Sequence, residues 1–118
     1  MAATGIFAEA RDAIATRINN LGLKAVTDPR NARPLTVFID LPTFTSFTYN
    51  VGDLTFILHV LGAPPGNQDT ADWLLTTIDT LMADQGLAIV AGQPTMTTIG
   101  SQELPSYDLT VRIASRRN

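Results

Sequence analysis

A chain of 118 residues with no cysteine, one histidine, eight basic and eleven acidic side chains excludes several protein classes at once. Without a thiol there is no disulfide scaffold, no cysteine nucleophile and no zinc site built on sulfur, and one histidine cannot supply a multi-histidine metal centre. A formal charge of −3 argues against a general nucleic-acid binder of the kind that neutralises many phosphates.

The length predicts one domain, 1–118, able to bury about two thirds of the surface its unfolded chain would expose. No run of about 18 apolar residues is present and the first residues lack the basic-then-apolar layout of a secretory signal, so the chain is expected in a cytoplasm, away from membranes. Its 45% hydrophobic and 16% charged content is lean in charge against the roughly 25 to 35% of a well-behaved small monomer's surface. That shortage favours an oligomer.

In chain order, Thr4 to Leu21 reads as an amphipathic helix, with Phe7, Ala10, Ile14, Ile18 and Leu21 recurring at spacings of three and four and Gly22 as its stop. A short strand, Leu23 to Thr27, is followed by a charged loop bounded by Asp28-Pro29 and Arg33-Pro34. Each proline pins its own φ and pushes the residue before it out of the helical region, so the loop is expected to be ordered and to project Arg30, Asn31 and Arg33. It runs into an alternating strand with Leu35, Val37, Ile39 and Leu41 on one side and Thr36, Phe38 and Asp40 on the other.

Thr43 to Tyr49 has a strand-prone composition, and Asn50-Val51-Gly52-Asp53 supplies a turn back into Leu54 to Leu61. That second strand carries Leu54, Phe56, Leu58 and Val60 on one face and Thr55, Ile57, His59 and Leu61 on the other, and is expected to be central. The segment Gly62 to Asn67 breaks it. A second helix is predicted from Asp69 to Asp84, burying Ala71, Leu74, Leu75, Ile78, Leu81 and Met82 and ending at Gly86. Strands Leu87 to Ala91 and Thr95 to Ile99 follow, separated by Gly92-Gln93-Pro94, and Ser106 to Ala114 is the last. Strands in runs between two helices indicate an α+β fold: a mostly antiparallel β-sheet with two α-helices packed on one side.

Residues able to carry chemistry are few. His59 reads either as a general base or, more simply, as a half-buried strand residue hydrogen-bonded to a neighbour. Asp40 and Asp53 flank the aromatic hairpin and read as paired carboxylates or as a strand end and a turn. Asp69, Asp72 and Asp79 suit a helix start and a solvated face. No glycine-rich phosphate loop is present. No catalysis, cofactor or metal is therefore expected. Trp73 lies about 100° around the helix from Leu74, where it either closes the rim of the core or anchors a neighbour. Arg112, Arg116 and Arg117 suit an acidic partner or phosphate, or simple solvation.

Asp28-Pro29-Arg30, the proline-led strand Pro34 to Asp40, the tryptophan-bearing second helix and the closing Leu104-Pro105-Ser106-Tyr107-Asp108-Leu109-Thr110-Val111 together resemble the tail terminator proteins of long-tailed phages, most closely the forms in phages of actinobacteria. The likeness spans the first helix to the last strand and lies in the order of the segments. It implies a homo-hexameric ring, assembled in the bacterial host cytoplasm, that sits in the virion at the head-tail junction. Such a ring binds the major tail protein of a completed tube, stops its polymerisation, and receives the head-completion or stopper protein. Genome DNA passes through it without specific recognition. Asp28, Arg30, Asn31 and Arg33 are assigned to a subunit or tube contact, with Trp73 as an anchor candidate. The nearest alternative is another neck ring, a connector or stopper; a different class is a small ligand-binding domain with Leu54 to Leu61 lining a pocket and His59 at its mouth.

Overall fold

A computed structural model describes residues 6–45, 51–63, 68–84, 87–99 and 101–116. Helix α1 (Ile6–Asn20) leads into β1 (Ala25–Val26), a single 3-10 turn (Pro29–Asn31), β2 (Thr36–Ile39), β3 (Thr43–Thr45) and β4 (Val51–Leu61); α2 (Gln68–Met82), β5 (Ile89–Ile99) and β6 (Gln102–Arg116) complete the chain. The strands form one sheet in the order β1-β2-β4-β6-β5, with β3 also paired to β4. Only β1 and β2 run parallel; the other pairings are antiparallel. The architecture is α+β, as the sequence predicts.

The most apolar strand takes the middle because it has the most to hide. Strand β4 pairs with β6 along its whole length on one side, and with β3 and then β2 on the other. Leu54, Phe56, Leu58 and Val60 are all fully buried on one face. They join Ile14 and Ile18 of α1, Leu74 and Leu81 of α2, Val37, Ile39, Leu109 and Val111 in one core, so both helices cover the same face. Each such aliphatic or aromatic side chain contributes about 1.5–3 kcal/mol through burial.

Helix α1 stops as its glycine requires. Gly22 has φ +84°, its N–H donates to the Asn19 carbonyl at 3.1 Å, and the Leu23 N–H reaches the Ile18 carbonyl at 3.4 Å. This is the paired 5→2 and 6→1 closure that favours glycine after a helix.

Five expectations are corrected. Helix α2 buries Thr70, Leu74, Thr77 and Leu81, whereas Ala71, Leu75 and Met82 are exposed and Ile78 is half-buried; two threonines stand on the core side, so the apolar residues mark the wrong centre of the stripe. Strand β2 alternates only over Val37 and Ile39, because Leu35 adopts φ +67° and turns half out, and Leu41 lies past the strand end with 80% exposure. The predicted break at Gly92-Gln93-Pro94 is absent: β5 is continuous, with Val90 as a bulge between Ile89, opposite Val111, and Ala91, opposite Thr110. Pro94 is tolerated because β5 is an edge strand and needs no donor on its open side. Finally, Val51, Gly52 and Asp53 belong to β4 rather than to a turn, and β6 begins at Gln102, earlier than Ser106. Asn50, Ser46 to Tyr49, Pro64 to Asn67, Gly86 and Arg117 lie outside the described residues.

Gly62 ends β4 where no side chain fits. A Cβ there would meet Thr70 Cγ2 at 2.7 Å and the Pro105 carbonyl oxygen at 2.9 Å, and the Gly62 N–H donates to that same carbonyl at 2.8 Å. Gly62→Ala is expected to destabilise the fold by about 1–3 kcal/mol, the usual cost of forcing atoms into a packed site. Urea unfolding measures it; an unchanged midpoint would show that α2 shifts freely over β4.

Candidate functional site

The charged loop is ordered, and its order comes from three sources. Asp28 caps the 3-10 turn by accepting the Arg30 N–H at 2.9 Å, and the Arg30 guanidinium returns to the same carboxylate with Nη2 at 3.0 Å from Oδ2. The side-chain hydrogen bond from Arg30, then its backbone one, hold the Asp28 carboxyl below the usual carboxylate range and the guanidinium above its own. Next to them Thr36 Oγ1 donates to the Arg33 carbonyl at 2.7 Å. Underneath, Ala32 packs on Leu61 and Leu104, with Phe38 and Ile99, in a second small cluster. That cluster lies on the face of the sheet away from the helices, since Leu61 has the opposite parity to Leu58 and Val60.

Arg30, Asn31 and Arg33 are all exposed and Asp28 is half-buried. Because Arg30 already grips Asp28, Arg33 is the loop cation whose side chain has no partner among the described residues. Trp73 packs elsewhere: it is half-buried against the main core, on the opposite flank of α2 from Leu75 by the helical rotation of about 100° per residue. The structure thus separates the predicted site residues into a loop beside β2 and a tryptophan at the core rim.

His59 makes contacts that its position in sequence does not reveal. Nδ1 lies 2.7 Å from Asp108 Oδ1 and Nε2 lies 3.0 Å from Asp40 Oδ2, while the ring stacks on Phe38 at 5.8 Å between centroids. Register brings this about: His59 pairs with Phe38 across β2 and with Asp108 across β6, and Asp40 follows β2 on the same face. A carboxylate oxygen only accepts, so both contacts are hydrogen bonds at once only when the ring carries both protons. The arrangement is a tie across three adjacent strands, with neither ring nitrogen turned toward a hydroxyl or thiol. Asp40 and Asp53 do not pair: Asp40 donates its N–H to Ile57 of β4, four residues from Asp53 or on the order of 13 Å along a strand.

Asp108→Ala is expected to cost about 1–2 kcal/mol, because a half-buried ring nitrogen loses its carboxylate partner. Asp40→Ala should cost less, its carboxylate being about half exposed. Chemical denaturation of the two variants checks the order; equal and negligible losses would mean that the tie adds no stability. A hollow of about 320 Å³ opens beside the tie, lined among others by Ile57, Gln93 and Thr110.

The remaining feature is the surface. Among the described residues the large apolar side chains left exposed are Leu35, Leu41, Phe44, Leu75, Met82, Val90 and Met96. They fall on two sides. Leu35, Leu41 and Phe44 line the β2 and β3 side of the sheet, and Phe44 meets Phe7 edge-on at 5.4 Å. Leu75, Met82, Val90 and Met96 lie on α2 and β5, at the other end of the strand order. On that second side two shallow grooves run between α2 and the β5–β6 hairpin, one lined by Leu75, Pro94 and Tyr107, the other by Ile78, Met82 and Val90. No protein-family model and no curated protein matches this chain.

Sequence reasoning missed the exposed flank of α2 and the aspartates around His59. The first had a signal: Ala71, Leu75, Ile78 and Met82 are spaced four, three and four, a complete helical stripe of their own beside Thr70, Leu74, Thr77 and Leu81. The second had none, since partners 19 and 49 residues away meet only through the sheet register. Among the described residues, no helix is long and apolar enough to cross a membrane, and no group of three or more His, Asp or Glu side chains is placed to hold a metal ion, the two aspartates at His59 meeting opposite nitrogens of its ring.

Proposed function

We propose that this chain is a structural subunit of a phage tail terminator: a ring that caps the completed tail tube, halts its polymerisation and offers the head its attachment surface. The observation that carries the reading is the placement of exposed apolar side chains on two different surfaces at opposite ends of the sheet. A pair of unlike, opposed surfaces suits head-to-tail association, which closes into a ring when the rotation between neighbours is right. The order of segments resembling tail terminators, the low charge and the ordered Asp28 to Arg33 loop support the same reading. In this account the subunit is homo-hexameric in the virion and contacts the major tail protein on one ring face and the stopper protein on the other.

Light scattering tests it, with the chain alone and then mixed with tubes of the major tail protein from the same virion. A hexamer, or a monomer that becomes hexameric on tube ends, is the expected result. A stable monomer or dimer indifferent to tubes would contradict it.

The hollow beside His59, Asp40 and Asp108 favours a second reading, a small ligand-binding domain. That reading requires a His59→Ala chain to lose binding of a small cationic or hydrogen-bonding ligand while keeping the wild-type quaternary state.

A further inference from the structure

Helix α2 and the loop beside β2 carry opposite charge. Between Arg33 and Arg112 the sequence contains no lysine or arginine. Every exposed charge on α2 is therefore negative, and Asp69, Asp72 and Asp79 have no basic residue on their helix. Asp72 and Asp79 are one helical turn, three or four residues, from Leu75, so they border the exposed stripe of Ala71, Leu75, Ile78 and Met82. At the other edge of the sheet, Lys24, Arg30 and Arg33 are exposed beside β1 and β2; Asp28 there is already held by Arg30, and Asp40, past the other end of β2, is held by His59.

We infer that the α2–β5 side of one copy receives the Lys24 to Leu35 side of the next, with Arg33 and Lys24 meeting Asp72 and Asp79, and Leu35 meeting the groove at Leu75. The contact presupposes the ring proposed above and specifies which surfaces form it. Two observations select a second copy as the occupant. The first is charge: Asp72 and Asp79 border the exposed apolar stripe of α2, and Arg33 and Lys24 are exposed on the side of the molecule that carries the exposed Leu35. Like surfaces would repel, so a two-fold pairing of α2 on α2 is disfavoured and the head-to-tail pairing is the one in which opposite charges meet.

The second is the backbone at Leu35. A leucine at φ +67° occupies a region that costs an L-residue with a Cβ, and the residue is held there by its N–H donating to the Leu61 carbonyl at 2.8 Å. The outcome of that conformation is an apolar side chain 50% exposed between Arg33 and the start of β2. A residue kept in an unfavourable conformation and pointed at solvent fits a contact made with another chain.

The chain has no cysteine, so the contact can be tested by directed cross-linking. Arg33→Cys and Asp72→Cys chains are treated with a short bismaleimide, separately and mixed, in solution and bound to tubes of the major tail protein, with tube length scored in the same samples. The expected result is a cross-linked dimer from the mixture and none from either chain alone. Self-linking of Asp72→Cys, or no product in the mixture, would overturn the inference. Cross-linking in the mixture while tubes continue to grow would leave the contact standing and remove the terminator reading; growth arrest without the mixed product would do the reverse. Charge reversal supplies the second arm. Arg33→Glu and the pair Asp72→Lys with Asp79→Lys should each weaken association on the order of tenfold at low salt, and the chain carrying all three changes should recover it. Failure of the combined chain to recover would also count against the pairing.

Discussion

Phe56→Ala is expected to destabilise the fold by about 3–5 kcal/mol, the range for removing a large aromatic ring from a core. Phe56 is fully buried at the middle of β4, opposite Val111 of β6, under a layer that both helices supply. Its neighbours Leu54 and Leu58 on the same face are themselves fully buried, and β4 is paired on both sides, so the backbone has little freedom to collapse into the space. For a domain of this size the loss is a large part of a total stability of about 5–15 kcal/mol. Thermal and urea unfolding measure it. A loss below about 1 kcal/mol would mean that α1 and α2 close over the gap, and that the sheet and helices are less firmly packed than the burial of Phe56 implies.

The second large effect is on assembly rather than folding. Leu75→Glu combined with Met82→Glu should leave unfolding unchanged within about 0.5 kcal/mol, because both side chains are more than half exposed and surface changes usually stay within that range. Association should nevertheless fail. An apolar anchor buried at the centre of an interface carries about 2 kcal/mol or more, which is a factor of about 30 per contact, and a closed ring repeats the contact at each subunit. Two added negative charges beside Asp72 and Asp79 change the local field as well. Circular dichroism with sedimentation velocity separates the two effects: native helix content with only monomer sedimenting is the expected result. Rings of wild-type size from this chain would show that the α2–β5 grooves face solvent in the assembly.

Most of the fold was legible because the strongest periodic signals coincide with burial. The alternation of Leu54, Phe56, Leu58 and Val60 identified the central strand and its core face, and Gly22 marked the end of α1. What misled were residues whose chemistry and environment disagree. Thr70 and Thr77 are polar yet buried on α2, with Thr70 Oγ1 satisfied by the Ala63 carbonyl at 2.7 Å, so a hydrophobicity pattern assigns their face to solvent. Pro94 reads as a strand breaker, but on an edge strand its missing N–H costs no ladder bond. Leu35 reads as core by alternation until its positive φ rotates it outward.

The candidate site was legible only where it is local. Asp28, Pro29 and Arg30 build their turn from neighbours, and the exposure of Arg30, Asn31 and Arg33 follows from residue type. The Asp40–His59–Asp108 tie depends on the pairing of β2, β4 and β6, and the placement of the acidic α2 and the basic loop at different ends of the sheet depends on knowing that β1 and β5 end the strand order. Both are properties of topology, which no short window of sequence contains.

The most direct measurement is the length distribution of tail tubes by electron microscopy when the major tail protein polymerises with and without this chain. The account predicts tubes that stop growing once the chain is added, each with a ring of extra density at one end. Tubes of unchanged length with bare ends would contradict it.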